Sequence, residues 1–102
     1  MAASQANALG TLLRLIDAHP HLPGAYIVSH CFIPQRVDVQ LDSPSGLEAW
    51  REALNLPTCA IEPKRFPDPG RQELEMSADV GTATIRVYAI FPAARDDSRR
   101  TA

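Results

Sequence analysis

Three stretches of this chain alternate apolar and polar residues with period two, and that pattern restricts the fold more than any other feature. Val37, Val39 and Leu41 alternate with Asp38 and Gln40; Leu74 and Met76 alternate with Glu73, Glu75 and Ser77; Ile85, Val87, Ala89 and Phe91 alternate with Thr84, Arg86 and Tyr88. Successive side chains of a strand point to opposite faces, so each stretch offers one face for burial and one for water. Such strands suit an antiparallel sheet covered on a single side. Asp79-Val80-Gly81 reads as a three-residue hairpin loop between the last two, with Gly81 at the positive-φ position.

Two segments carry helical spacing instead. In residues 7–18, Leu9, Leu12, Leu13 and Ile16 recur at intervals of three and four, Leu15 widens the stripe, and Ser4 or Asn7 caps the start. The helix ends in His19-Pro20-His21-Leu22-Pro23-Gly24, because a residue before proline is held out of the helical region. A second helix starts within Ser43-Pro44-Ser45-Gly46-Leu47-Glu48. Ser43 with Pro44 suits an N-cap followed by proline, whereas Ser45 with Glu48 has capping-box spacing; these are alternative registers. Leu47, Trp50 and Leu54 share one face, Glu48, Arg51 and Glu52 face water, and Asn55 suits a left-handed residue past the helix end.

Residues 25–33 are rich in β-branched and aromatic side chains and read as a further strand, joined to 37–41 through Pro34-Gln35-Arg36. A short strand is expected over 58–62 and a loop over 64–70, where Pro63, Pro67 and Pro69 oppose extended pairing. The order α-β-β-α-(β)-β-β predicts an α+β fold, a two-layer sandwich with an antiparallel sheet of four to five strands and both helices on one face. A chain of 102 residues builds one such core. The domain is expected over 1–91, with 92–102 an aperiodic tail.

A formal net charge of −2 gives no general attraction for nucleic acid or anionic membranes. No apolar run approaches the length of a membrane span, and MAASQANALG lacks the basic and apolar regions of a signal peptide, so a cytoplasmic protein is expected. Two cysteines, Cys31 and Cys59, are too few for a disulfide scaffold and are expected as small core residues. His30 and Cys31 are neighbours on one strand and point apart, so they neither share a metal nor form a nucleophile–base pair. His19 and His21 read as exposed turn residues. No metal and no cofactor is expected, and no phosphate-cradling loop or nucleophile elbow is present. Catalysis is neither indicated nor excluded.

The strand at 25–33 is apolar on both sides, with Ile27, Cys31 and Ile33 on one and Tyr26, Val28, His30 and Phe32 on the other. One row stays outside unless a twist, a bulge or the loop around Phe66 covers it. The expected function is therefore a non-catalytic interaction module. It self-associates as a homodimer or docks a protein partner through its second sheet face, with Tyr26, Val28, His30, Phe32, Arg86 and Tyr88 as contacts. The alternative is a small regulator of nucleic-acid transactions that uses Lys64, Arg65, Arg71, Arg99 and Arg100 on phosphates. Asp38, Glu73 and Glu75 on the sheet face oppose a base-stacking platform.

Asp17-Ala18-His19-Pro20-His21-Leu22-Pro23, Val37-Asp38-Val39-Gln40-Leu41 and Leu47-Glu48-Ala49-Trp50-Arg51-Glu52-Ala53-Leu54 together resemble small actinobacterial proteins, of the kind often encoded on prophages or other mobile elements. The resemblance implies a compact helper or regulatory protein without a defined family activity. It supplies no catalytic residue.

Overall fold

The cleanest alternation produces the longest strands. In the computed structural model, which describes residues 2–65 and 67–92, β4 (Arg71–Val80) and β5 (Ala83–Pro92) form a long antiparallel hairpin. Pairing runs through Val80 and Ala83, so the loop is the two residues Gly81 and Thr82 rather than the expected 79–81. Gly81 has φ 63° and Thr82 does not share that region, as a II′ turn requires.

Against the other side of β5 lies β2 (Arg36–Leu41), followed by β1 (Tyr26–Ser29); beyond β4 lies β3 (Glu62–Lys64). The order is β1-β2-β5-β4-β3, and β2 pairs with β5 in parallel from Arg36 opposite Thr84 to Leu41 opposite Ala89. The fold is α+β as expected, but the sheet is mixed rather than antiparallel. The chain leaves β2 through a helix, crosses to the far edge and returns through β3 and β4, and this returns β5 alongside β2 in the same direction. The first strand is also shorter than its composition suggested. It stops at Ser29, and residues 31–35 bend and turn, closed by Arg36 N–H donating to Ile33 O at 3.0 Å.

Helices α1 (Ala2–Ala18) and α2 (Pro44–Ala53) cover one face. Ser43 is the N-cap of α2, its Oγ accepting from Gly46 N–H at 3.1 Å with Pro44 opening the helix, which selects between the two expected registers. Asn55 adopts φ 58°; its N–H bonds to Glu52 O and that of Leu56 to Arg51 O, the reciprocal pair of a Schellman end. A 3-10 turn at Thr58–Ala60 replaces the strand expected over 58–62.

Val37, Val39, Leu41, Met76, Ile85, Val87 and Ala89 meet Leu12, Leu47 and Trp50 in the core. Burying each large side chain there stabilises the fold by roughly 1.5–3 kcal/mol. Trp50 is 1% exposed, and its Nε1–H donates to Pro23 O at 3.2 Å, pinning the α1–β1 connection to α2. Gly46 lies at that crossing, where an added Cβ would stand 3.2 Å from Ser43 Oγ and 3.6 Å from Pro23.

The first helix begins well before residue 7, so neither Ser4 nor Asn7 caps it; Asn7 Nδ2 donates instead to Thr82 Oγ1 at 2.7 Å. Its buried line is Ala8, Thr11 and Leu12, with Leu15 and Ile16 half-buried, while Leu9 and Leu13 are exposed. Small residues at 8 and 11 seat the helix on the sheet, and the Thr11 hydroxyl is satisfied by Asn7 O at 3.0 Å. Both cysteines are exposed, Cys31 in the bend after β1 and Cys59 in the 3-10 turn, not in the core. No helix among the described residues is long and apolar enough to cross a membrane. Phe66 and the tail beyond Pro92 lie outside the described residues.

Candidate functional site

The sheet face opposite the helices has a polar centre and an apolar margin, and strand register places each. Asp38 and Arg86 are directly paired across β2 and β5, Gln40 and Tyr88 likewise, while Glu75 opposes Tyr88 from β4. Val28 pairs with Asp38, and Tyr26 with Gln40, from β1. Because paired residues share a face, all of these lie on the uncovered side.

At the centre, Asp38 is only 5% exposed although it lies on the uncovered side. Arg36 donates to both of its oxygens, Nε to Oδ1 at 2.8 Å and Nη2 to Oδ2 at 3.2 Å, and Arg86 Nη1 adds a bond to Oδ2 at 3.1 Å. His30 Nε2 stands 3.1 Å from the same Oδ2, within ion-pair range but outside hydrogen-bond geometry. Burial alone would raise the Asp38 pKa; the hydrogen bonds of Arg36, the close approach of His30, and the charges of Arg36 and Arg86 outweigh it and hold the carboxyl below its usual value. Arg86 also reaches Glu73 at 3.3 Å and Glu75 at 3.0 Å, and its guanidinium lies 4.2 Å from the centroid of the Tyr88 ring. Desolvation would lower the Arg86 pKa, but the three carboxylates raise it further. Tyr88 closes the row by donating to Gln40 Oε1 at 3.1 Å.

The Asp38 carboxylate is saturated, although His30 Nε2 beside it is buried without a hydrogen bond. Both Asp38 oxygens are occupied by guanidinium groups, which fits a polar seam binding β2, β5 and β4 together better than a general base. Of the expected contacts, His30, Arg86 and Tyr88 belong to this seam. Tyr26 and Val28 form the margin, exposed to 77% and 45%, and Phe32, in the bend after β1, is 94% exposed.

The chain matches no family model, no curated protein and no solved structure.

A cavity of about 300 Å³ lies between the end of α1, the His19-Pro20-His21 turn and α2, with Glu52 on its wall. Among the described residues, no group of three His, Cys, Asp or Glu side chains is placed to hold a metal. The basic residues of the alternative reading do not assemble into a stripe. Lys64 faces Glu73 across the β3–β4 ladder and pairs with Glu62 at 3.4 Å; Arg65 follows it, Arg71 opens β4, and Arg99 and Arg100 lie outside the described residues.

Sequence reasoning missed the flank of α1. Leu9 and Leu13 lie four and eight residues beyond Gln5, whose Nε2 donates to Ser29 Oγ of β1 at 3.1 Å, so this row of the helix borders the β1 edge. The signal lay in Ala8, Thr11, Leu12 and Leu15, a second stripe at helical spacing whose small residues allow closer packing. Ile27, on the helix-side face of β1, is also 43% exposed.

Proposed function

We propose that the protein is a non-catalytic, cytoplasmic interaction module that binds protein through the apolar margin centred on β1. The observation that carries this reading is the distribution of exposed large apolar side chains. Eight occur among the described residues, and seven lie on β1, on the α1 flank beside it, or in the turn that follows it; only Val80 lies elsewhere. Scattered apolar residues are ordinary on a surface, whereas here they gather on both sides of one sheet edge, Tyr26 and Val28 on the helix-free face and Ile27 on the other. The polar seam is a rigid floor next to this group and not itself the contact.

Phe32→Asp and Leu13→Glu test the reading, since neither side chain belongs to the buried core. Both variants should fold as the parent does and lose self-association and capture of partner proteins alike. Association of undiminished strength in both would sink it. The nucleic-acid alternative has exposed Lys64 and Arg65 in its favour, but Glu62 and Glu73 beside them offset the attraction.

A further inference from the structure

The two edges of the sheet are built differently. Edge β3 is Glu62-Pro63-Lys64, which sets a charge on either side of a residue with no N–H to donate. Edge β1 is Tyr26-Ile27-Val28-Ser29, with neither charge nor proline and an outer side that no strand pairs among the described residues. A free edge of this composition is a template for another strand.

We infer that the strand it takes is β1 of a second copy, paired antiparallel about a two-fold axis through Ile27; this rests on the proposed interaction surface and names its partner. In that register Ile27 opposes its own mate, and Tyr26 of each copy opposes Val28 of the other, an aromatic against a β-branched residue. The two five-stranded sheets become one of ten strands, with all four helices on the same face. Shifting the axis to Val28 would keep one apolar match, Val28 with its own mate, but would set Ile27 against Ser29 and Tyr26 against His30.

Area supports a second copy. The seven side chains expose the equivalent of about four complete ones; at roughly 200 Å² for a large side chain this is on the order of 800 Å², the share each partner contributes to a standard interface. The helix side supports it as well. Packing of α1 over β2 and β5 leaves Ile27 partly uncovered, and Leu9 and Leu13 are exposed on the helix row that continues from Gln5, the residue bonded to Ser29 of β1. Two copies joined at Ile27 would bring both Leu9–Leu13 rows over both Ile27 side chains. The surface is self-complementary in charge because the strand carries none.

Sedimentation of the full chain should give twice the 11.1 kDa chain mass, and Ile27→Lys should return it to a monomer with unchanged Trp50 fluorescence. If that variant fails to fold, Tyr26→Asp, on a side chain 77% exposed, serves the same purpose. Register is read by disulfide trapping after Cys31→Ser and Cys59→Ser. Opposed Cα atoms stand about 4.5–5.5 Å apart, within disulfide reach, so Ile27→Cys should link two chains on oxidation. Ser29→Cys should not, its mate lying roughly 14 Å away. A strict monomer at several hundred micromolar, a dimer that survives Ile27→Lys and Tyr26→Asp, or equal trapping at 29 would overturn the inference. In the first case, loss of capture of other proteins by Phe32→Asp would leave the interaction reading standing without a second copy.

Discussion

Arg86 stands beside Asp38 across the parallel junction of β5 with β2, Nη1 to Oδ2 at 3.1 Å, and the same guanidinium reaches Glu73 and Glu75 on β4. One side chain therefore ties three strands on the face that has no helices. Removing it takes that guanidinium from Glu73 and Glu75, while Asp38 keeps its two bonds from Arg36.

For Arg86→Met, breaking a fully buried pair would cost about 3–5 kcal/mol. Arg86 is 21% exposed and Asp38 keeps Arg36, so solvent and the remaining partner reduce the loss to about 2 kcal/mol. Urea unfolding at pH 7 measures it. A loss below about 0.5 kcal/mol, the range of ordinary surface changes, would mean that the seam adds nothing to stability.

Acid should weaken the fold through Asp38. Its pKa is lower folded than in the unfolded chain, where it takes its usual value near 3.8. Above that value the stabilisation is complete; as pH falls through it, the unfolded chain binds the proton first, and stability drops until the folded carboxyl titrates too. Glu48, held low by Arg51, acts in the same direction. Thermal unfolding followed from pH 6 to pH 2 should show this decline, and Asp38→Asn should flatten it. An equally steep acid limb in that variant would assign the effect to other carboxyls.

Trp50 links core and connection, so Trp50→Phe is expected to destabilise by about 1–3 kcal/mol, combining lost volume with an unpaired carbonyl at Pro23. It is the only tryptophan, and its emission in the folded chain should be that of a buried indole, shifting red on unfolding. Chemical denaturation read by circular dichroism compares the two chains. A cost under about 0.5 kcal/mol would remove Trp50 from the anchors of the fold.

Both thiols should react with a bulky disulfide reagent in the native protein, without denaturant, because Cys31 and Cys59 are exposed. Titration of two thiols per chain at the rate of a free thiol is the expected result. A slow phase limited by unfolding would return either residue to the interior.

Local chemistry made much of this architecture legible. Ser43-Pro44, Asn55 and Gly81 each met the backbone geometry their side chains favour, and the alternation of β2, β4 and β5 assigned the inner face correctly. Distant pairing was not legible. Nothing near Val37 says that it will lie parallel to Ile85, because that depends on where the intervening helix and strands send the chain. The site divided in the same way. Tyr26, Val28 and Phe32 were recognisable as surplus apolar residues, whereas the polar seam needed the parallel register that brings Asp38 to Arg86. Leu9 and Leu13 were misassigned because leucine was weighted above the alanine and threonine that face the sheet.

The unequal edges have a consequence for growth. In the language of polymer chemistry, a chain with one reactive end is monofunctional: it couples once and stops. A sheet that can be extended at Tyr26–Ser29 but is blocked by Glu62-Pro63-Lys64 has one such end. On the inferred pairing, addition at β1 would therefore terminate after a single step, giving a pair of chains and no filament.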